Sequence, residues 1–150
     1  MLKNINPLLN ADVLHTLAAM GHGDSLVLCD ANFPAQSVAL KTSIGKLLRI
    51  DGANVSEVAE AVLSLMPLDT FIDDAAQRME VVGAPDELPE VQLEVQSVIN
   101  ASEEGAFPLV PVERFAFYEK ASESYAVIAC GERRFYGCFI LTKGVVPPEA

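Results

Sequence analysis

Met20-Gly-His-Gly-Asp-Ser-Leu-Val-Leu-Cys-Asp30 is the stretch on which the reading of the chain turns. Ser25 to Cys29 is a continuous apolar run of strand length, the pattern of a strand covered on both faces. A helical segment precedes it, from Asn10 to Gly21, with Asn10 as N-cap, Val13, Leu14, Leu17 and Ala18 on one stripe, and Gly21 as terminator. The run leads directly into the polar group Asp30-Ala-Asn-Phe-Pro34. A helix feeding a buried strand that delivers an aspartate at its C-terminal end opens an α/β fold, in which that end of the sheet carries the ligand site.

The alternation continues outward. Leu47 to Ile50 is a second strand, followed by the turn Asp51-Gly52 and a helix from about Asn54, where Asn54 and Glu57 have capping-box spacing; this helix ends before Pro67. Arg78 to Val82 reads as a third strand, closed by Gly83. Glu87 to about Glu104 is a long helix with Val91, Val95, Val98 and Ile99 inward, its true start near Pro89 and its end at Gly105. Leu109 to Val112 is short and extended, and Arg114 to Ala121 is a short helix. Tyr125 to Cys130 and Cys138 to Leu141 are two further strands. The pattern predicts a single-domain α/β sandwich over residues 1–150, with a mainly parallel or mixed sheet flanked by helices.

Composition narrows the function. At 51% hydrophobic residues and a mean hydropathy of +0.29, the chain has more apolar surface than a monomer of this size needs to bury, so part of it is expected to close a subunit interface. A formal net charge of −11 repels phosphate backbones and anionic lipids, which argues against nucleic acid and membrane as partners and for a neutral small molecule. The N-terminal apolar stretch is too short for a signal peptide, and no run approaches the roughly 18 apolar residues of a membrane span; the chain reads as soluble and cytoplasmic. Cys29, Cys130 and Cys138 all lie in apolar runs, with no C-x-x-C pair and no histidine at ligand spacing. They read as buried free thiols of a reducing compartment and not as a metal site, with a Cys130–Cys138 bridge across a hairpin the minor alternative.

Three stretches carry candidate chemistry. His22 lies between two glycines just past a helix C-terminus, where the dipole favours its protonated form, and Asp30 returns eight residues later at the end of the buried strand. Brought together, such a pair moves protons near neutrality, the carboxylate fixing the imidazole tautomer. The plain alternatives are a capping residue and a turn residue. His15, inside the first helix, is assigned no role. Arg114 and Tyr118 stand one helical turn apart with Phe115 and Phe117 alongside, a pair able to hold sugar hydroxyls or, equally, part of an ordinary amphipathic helix. Tyr136 and Gly137 sit at the mouth of the final strand, where Gly137 permits backbone hydrogen bonds to a ligand and Tyr136 offers a hydroxyl or a stacking face; a hairpin turn with a surface tyrosine is the alternative.

Taken jointly, Met20-Gly-His-Gly-Asp24, Cys29-Asp-Ala-Asn-Phe-Pro34, Arg114-Phe-Ala-Phe-Tyr-Glu119, and Gly131-Glu-Arg133 with Tyr136-Gly137 resemble the RbsD/FucU family in order and spacing, from about Leu2 to Val145 and closest to its fucose branch. The resemblance implies a cofactor-free sugar mutarotase acting on a free monosaccharide, L-fucose before D-ribose. In it His22 is the catalytic acid, Asp30 its partner, and Arg114, Tyr118, Tyr136, Gly137 and the residue at Cys138 line the sugar. It also implies closed rings, commonly decamers, with each site near a subunit boundary. After Tyr-Gly the family usually carries asparagine; Cys138 in this chain removes a side-chain hydrogen bond to the sugar. Residues 40–46 match nothing in the pattern. A non-catalytic sugar-binding or transport-accessory protein is the competing reading, and a purely structural ring module the third.

Overall fold

The computed structural model describes residues 1–149, so Ala150, the last residue of the expected domain, lies outside the described residues. The chain runs α1 (Ala11–Ala19), β1 (Ser25–Cys29), α2 (Ala35–Ala39), β2 (Leu48–Ile50), α3 (Val55–Leu63) and β3 (Ala76–Met79). It continues through α4 (Glu90–Ser102), β4 (Val110–Val112), α5 (Arg114–Ser122), β5 (Ala126–Cys130) and β6 (Phe139–Thr142). All six strands join one sheet in the order β2-β5-β1-β6-β3-β4. β1 lies parallel to β5, Leu26 opposite Ala126, and antiparallel to β6, Leu28 opposite Phe139. β2 extends the parallel side, and β3 and β4 run parallel to each other beyond β6. The sheet is mixed because β6 follows β5 with no helix between them and enters antiparallel to both β1 and β3.

Helices cover both faces, which is why β1 is apolar at successive positions and not at alternate ones. Leu26 and Leu28 pack with Ile128 and Phe139 against Val13 of α1, Val58 and Val62 of α3, and Val95 and Ile99 of α4. Val27 and Cys29 point the other way, packing with Val127 and Ile140 against Val38 of α2 and Phe117 of α5. Local signals set the helix starts. Asn54 and Glu57 close a full capping box on α3, and Pro89 is the N-cap of α4.

Several details differ from the sequence expectation, most by a single residue. α1 stops at Ala19 with Met20 as its cap, two residues before Gly21. Lys143 supplies the termination instead: its ammonium donates to the carbonyls of Leu17 (2.7 Å) and Met20 (2.6 Å), a cation at the negative end of the helix. On the α1 stripe Ala18 is exposed and Thr16 is buried, its hydroxyl donating to Asp12 O. β3 begins and ends earlier than Arg78 to Val82, because its ladder with β6 aligns Ala76, Gln77 and Arg78 with Leu141, Ile140 and Phe139. Past Met79 the chain turns away, leaving Val82 exposed. The short helix α2 had no periodic apolar signal, Val38 being its one large apolar residue.

Phe117 is fully buried and ties α5 to the sheet face formed by Val127 and Ile140. Phe117→Ala is expected to lower unfolding free energy by about 3–5 kcal/mol through lost burial and the cavity left behind, measured by urea denaturation.

Candidate functional site

A pocket of about 270 Å³ opens where β1 ends and β6 begins, close to the smaller ligand sites of roughly 300–1,000 Å³. Asp30, Arg114, Tyr118, Tyr136 and Cys138 all line it, so five of the residues singled out in the sequence meet in one place. Asp30 is 4% exposed and holds the pocket floor together. Its Oδ1 accepts the amides of Asn32 and Phe33, both at 3.0 Å, and its Oδ2 accepts the Gly137 amide at 3.0 Å and the Cys138 thiol at 3.5 Å. A carboxylate offers about four acceptor positions, so Asp30 is saturated by the chain itself. Gly137 is closely packed: a Cβ there would lie 3.0 Å from Glu132 Cγ and 3.3 Å from Asp30 Cβ, so any side chain would press on both carboxylate residues.

Tyr136 occupies a left-handed backbone conformation, φ +62°, which costs a non-glycine residue about 1–2 kcal/mol. Its hydroxyl accepts the Val82 amide at 3.2 Å, leaving the O–H to donate. The loop before it is pinned by Arg134, whose guanidinium donates to both oxygens of Glu94 (2.8 and 2.7 Å) and both of Glu132 (3.0 Å each). Hydrogen bonding from Arg134 pulls the Glu94 pKa below its ordinary range. On the opposite wall, Glu113 caps α5 by accepting the amides of Phe115 and Ala116, which lowers its own pKa. That cap orients the first turn, where Arg114 Nε donates to the Tyr118 hydroxyl at 3.0 Å and its guanidinium stacks on the rings of Phe115 and Tyr118, 5.2 and 5.5 Å from their centroids.

Within one chain, His22 and Asp30 do not meet. They flank the two ends of β1, and five strand residues at about 3.3 Å each separate them by roughly 17 Å. The carboxylate beside His22 is Asp69: His22 Nε2 and Asp69 Oδ1 are 3.0 Å apart, and the imidazole packs on Phe71 with centroids 5.2 Å away. Asp69 is buried while the His22 side chain is 43% exposed. The Phe71 amide, which Asp69 also accepts, is the largest cause holding the Asp69 carboxyl below its usual range; burial opposes this, and His22 adds to it. The sequence offered no local signal for Asp69. It reaches His22 because Leu68 bridges Lys143 and the Asp69 amide donates to Thr142 O, a placement that only the sheet topology determines.

Other groups were also unread in the sequence: Phe33, Met79, Val82 and Phe135 supply apolar walls to the pocket. The three cysteines are buried free thiols, and burial is the main cause raising the Cys130 pKa to about 11. Among the described residues no three His, Cys, Asp or Glu side chains cluster as metal ligands, and no helix is long and apolar enough to cross a membrane.

Fold and pocket together define a single-domain α/β protein with a pocket of small-molecule size at the carboxyl ends of β1 and β3. The chain belongs to the RbsD / FucU transport protein family, whose model matches residues 3–146. It is 42% identical to the fucose mutarotase of Danio rerio over 99% of this chain and 97% of that one. The solved structure of the fucose mutarotase of Streptococcus pneumoniae in complex with L-fucose superposes with a TM-score of 0.87 at 39% identity, covering 97% of this chain and 100% of that one. The crystal structure of protein Atu2016 superposes with a TM-score of 0.95 at 58% identity over 98% and 97% of the two chains.

Because the folded-state pKa of Asp69 is depressed, its contribution to stability is present above the unfolded value of about 3.9 and is lost as pH falls through the lower folded value. The gap in urea midpoint between the natural protein and Asp69→Asn is therefore expected to be full above about pH 5 and to narrow below about pH 4.

Proposed function

We propose that the protein is a sugar mutarotase that interconverts the α and β anomers of a free monosaccharide, with L-fucose preferred over D-ribose. One strand carries, at its two ends, a monosaccharide-sized pocket rich in hydroxyl-binding groups and a half-exposed imidazole backed by an ionised carboxylate; that pairing is the observation behind the reading. Relatives named fucose mutarotases align along nearly the whole chain, which supports the same choice of sugar.

Mutarotation removes a proton from the anomeric hydroxyl and delivers one to the ring oxygen. The C1–O5 bond breaks, the open aldehyde forms, and it recloses on its other face. These steps need proton transfer alone. His22 protonates the ring oxygen, and Asp69 orients the imidazole and stabilises its cation. Asp30, with every acceptor position engaged, fixes the pocket floor; the Tyr136 hydroxyl, held by Val82, accepts the anomeric proton while passing its own to solvent water. Arg114 and Tyr118 hold the sugar hydroxyls.

The two halves come together when copies associate. Phe71 and Ile72 beside His22, and Val82, Phe115 and Phe135 around the pocket mouth, are exposed apolar side chains on the faces that would meet. A closed homo-oligomeric ring, a decamer by family resemblance, buries both and brings one copy's His22 to the next copy's pocket. Three free buried thiols are in keeping with a cytoplasmic location.

Saturation-transfer NMR on L-fucose, with D-ribose in parallel, tests the proposal. Catalytic amounts of protein are expected to accelerate α/β exchange, more for fucose than for ribose. His22→Ala is expected to slow exchange by about 10²–10⁴-fold with sugar binding retained. Saturable binding with no acceleration by the natural protein would instead identify a sugar-binding accessory protein.

A further inference from the structure

Gln92 lies in the first turn of α4, is 1% exposed, and lines neither the pocket nor any surface. Its amide fills the place where the sheet comes apart. β3 and the start of β6 are joined by the Met79 amide donating to Cys138 O; one step further out the two strands diverge. There Gln92 Nε2 donates to both sides of the gap, to Met79 O at 2.8 Å and to Tyr136 O at 3.1 Å. Arg78 Nη1, a group that can only donate, faces Gln92 Oε1 at 3.2 Å, which fixes the amide so that its N–H groups point at the two carbonyls. Arg78 is itself buried and anchored by Pro85 O at 2.8 Å.

We infer that Gln92 is a positioning residue for the anomeric proton relay, holding Tyr136 in its left-handed backbone conformation and so setting where its hydroxyl lies. Tyr136 is gripped at three points: the hydroxyl by Val82 N, the carbonyl by Gln92, and the following amide by Asp30. A strained conformation persists only where its surroundings over-determine it. Gln92 and Asp30 hold the two ends of one planar peptide group, Gln92 at the Tyr136 carbonyl and Asp30 at the Gly137 amide, and Gln92 alone ties that group to β3 through Met79 O. Neither near-isostere reproduces a buried glutamine that donates to two carbonyls: glutamate would set a carboxylate against both, and methionine matches the shape with no donor.

The inference rests on the mutarotase reading, and its test separates the two. Exchange is measured by saturation-transfer NMR across L-fucose concentrations for the natural protein, Gln92→Met, Tyr136→Phe and the double variant. In parallel, the Tyr136 13Cα shift of tyrosine-labelled protein reports its backbone conformation. Gln92→Met is expected to lower kcat about tenfold with KM within twofold, since Arg114 and Tyr118, which bind the sugar, belong to α5 and do not touch Gln92. The double variant is expected to be no slower than Tyr136→Phe alone, because the two act through one hydroxyl. The Tyr136 shift is expected to leave its left-handed position. Should Gln92→Met fail to fold, Gln92→Asn keeps the amide but falls one methylene short of the two carbonyls, and the same signature is expected of it. A folded variant with unchanged kcat, losses that multiply in the double variant, or an unmoved Tyr136 shift would overturn the inference. A natural protein that fails to accelerate exchange would instead refute the mutarotase reading, while the shift still decides the positioning role.

Discussion

β1 is the constraint from which the rest of the molecule follows. It is bound on one side by parallel β5 and on the other by antiparallel β6, and its side chains enter the cores on both faces of the sheet. A strand held this way cannot bend or slip without emptying both cores, since a one-residue shift exchanges every side chain between faces. The separation of its two ends is therefore fixed, and His22 and Asp30 are kept apart as rigidly as their flanking loops are kept in place.

Each end is furnished by different, distant parts of the chain. At the carboxyl end, Asp30 binds the Gly137 amide, Gln92 binds the Tyr136 carbonyl, and the Glu113 cap aims Arg114 and Tyr118 inward. At the amino end, Lys143 stops α1 and its backbone pairs with Gly23 and Asp24, while the chain just past α3 delivers Asp69 to the imidazole. β6 touches both ends, beginning at the pocket and finishing beside His22. In the proposed enzyme these are the halves of one catalytic site, contributed by neighbouring copies.

Much of this was legible beforehand, for identifiable reasons. Continuous apolar strands, the Asn54–Glu57 box and Pro89 are local signals, so element types and most helix starts could be read from short windows. Arg114 and Tyr118 share a pocket wall because one helical turn separates them, another short-range fact. What escaped was set by sequence-distant partners. Gly21 looked like a helix terminator until Lys143, more than a hundred residues on, took that part. Asp69 is 47 residues from His22, and Gln92 is 44 from Tyr136. Within a single chain β1 carries His22 and Asp30 apart, so closeness in sequence is not closeness in space there.

The most direct test of a site shared between copies is complementation. His22→Ala chains keep an intact pocket, and Tyr136→Phe chains keep an intact imidazole with its Asp69. Each is made alone and then both are co-assembled, and α/β exchange of L-fucose is measured by saturation-transfer NMR. The expected result is that the mixed assembly exchanges the sugar well above the sum of its parts, because some sites join a good pocket to a good histidine. Exchange no faster than that of the separate variants would contradict a site built from two copies.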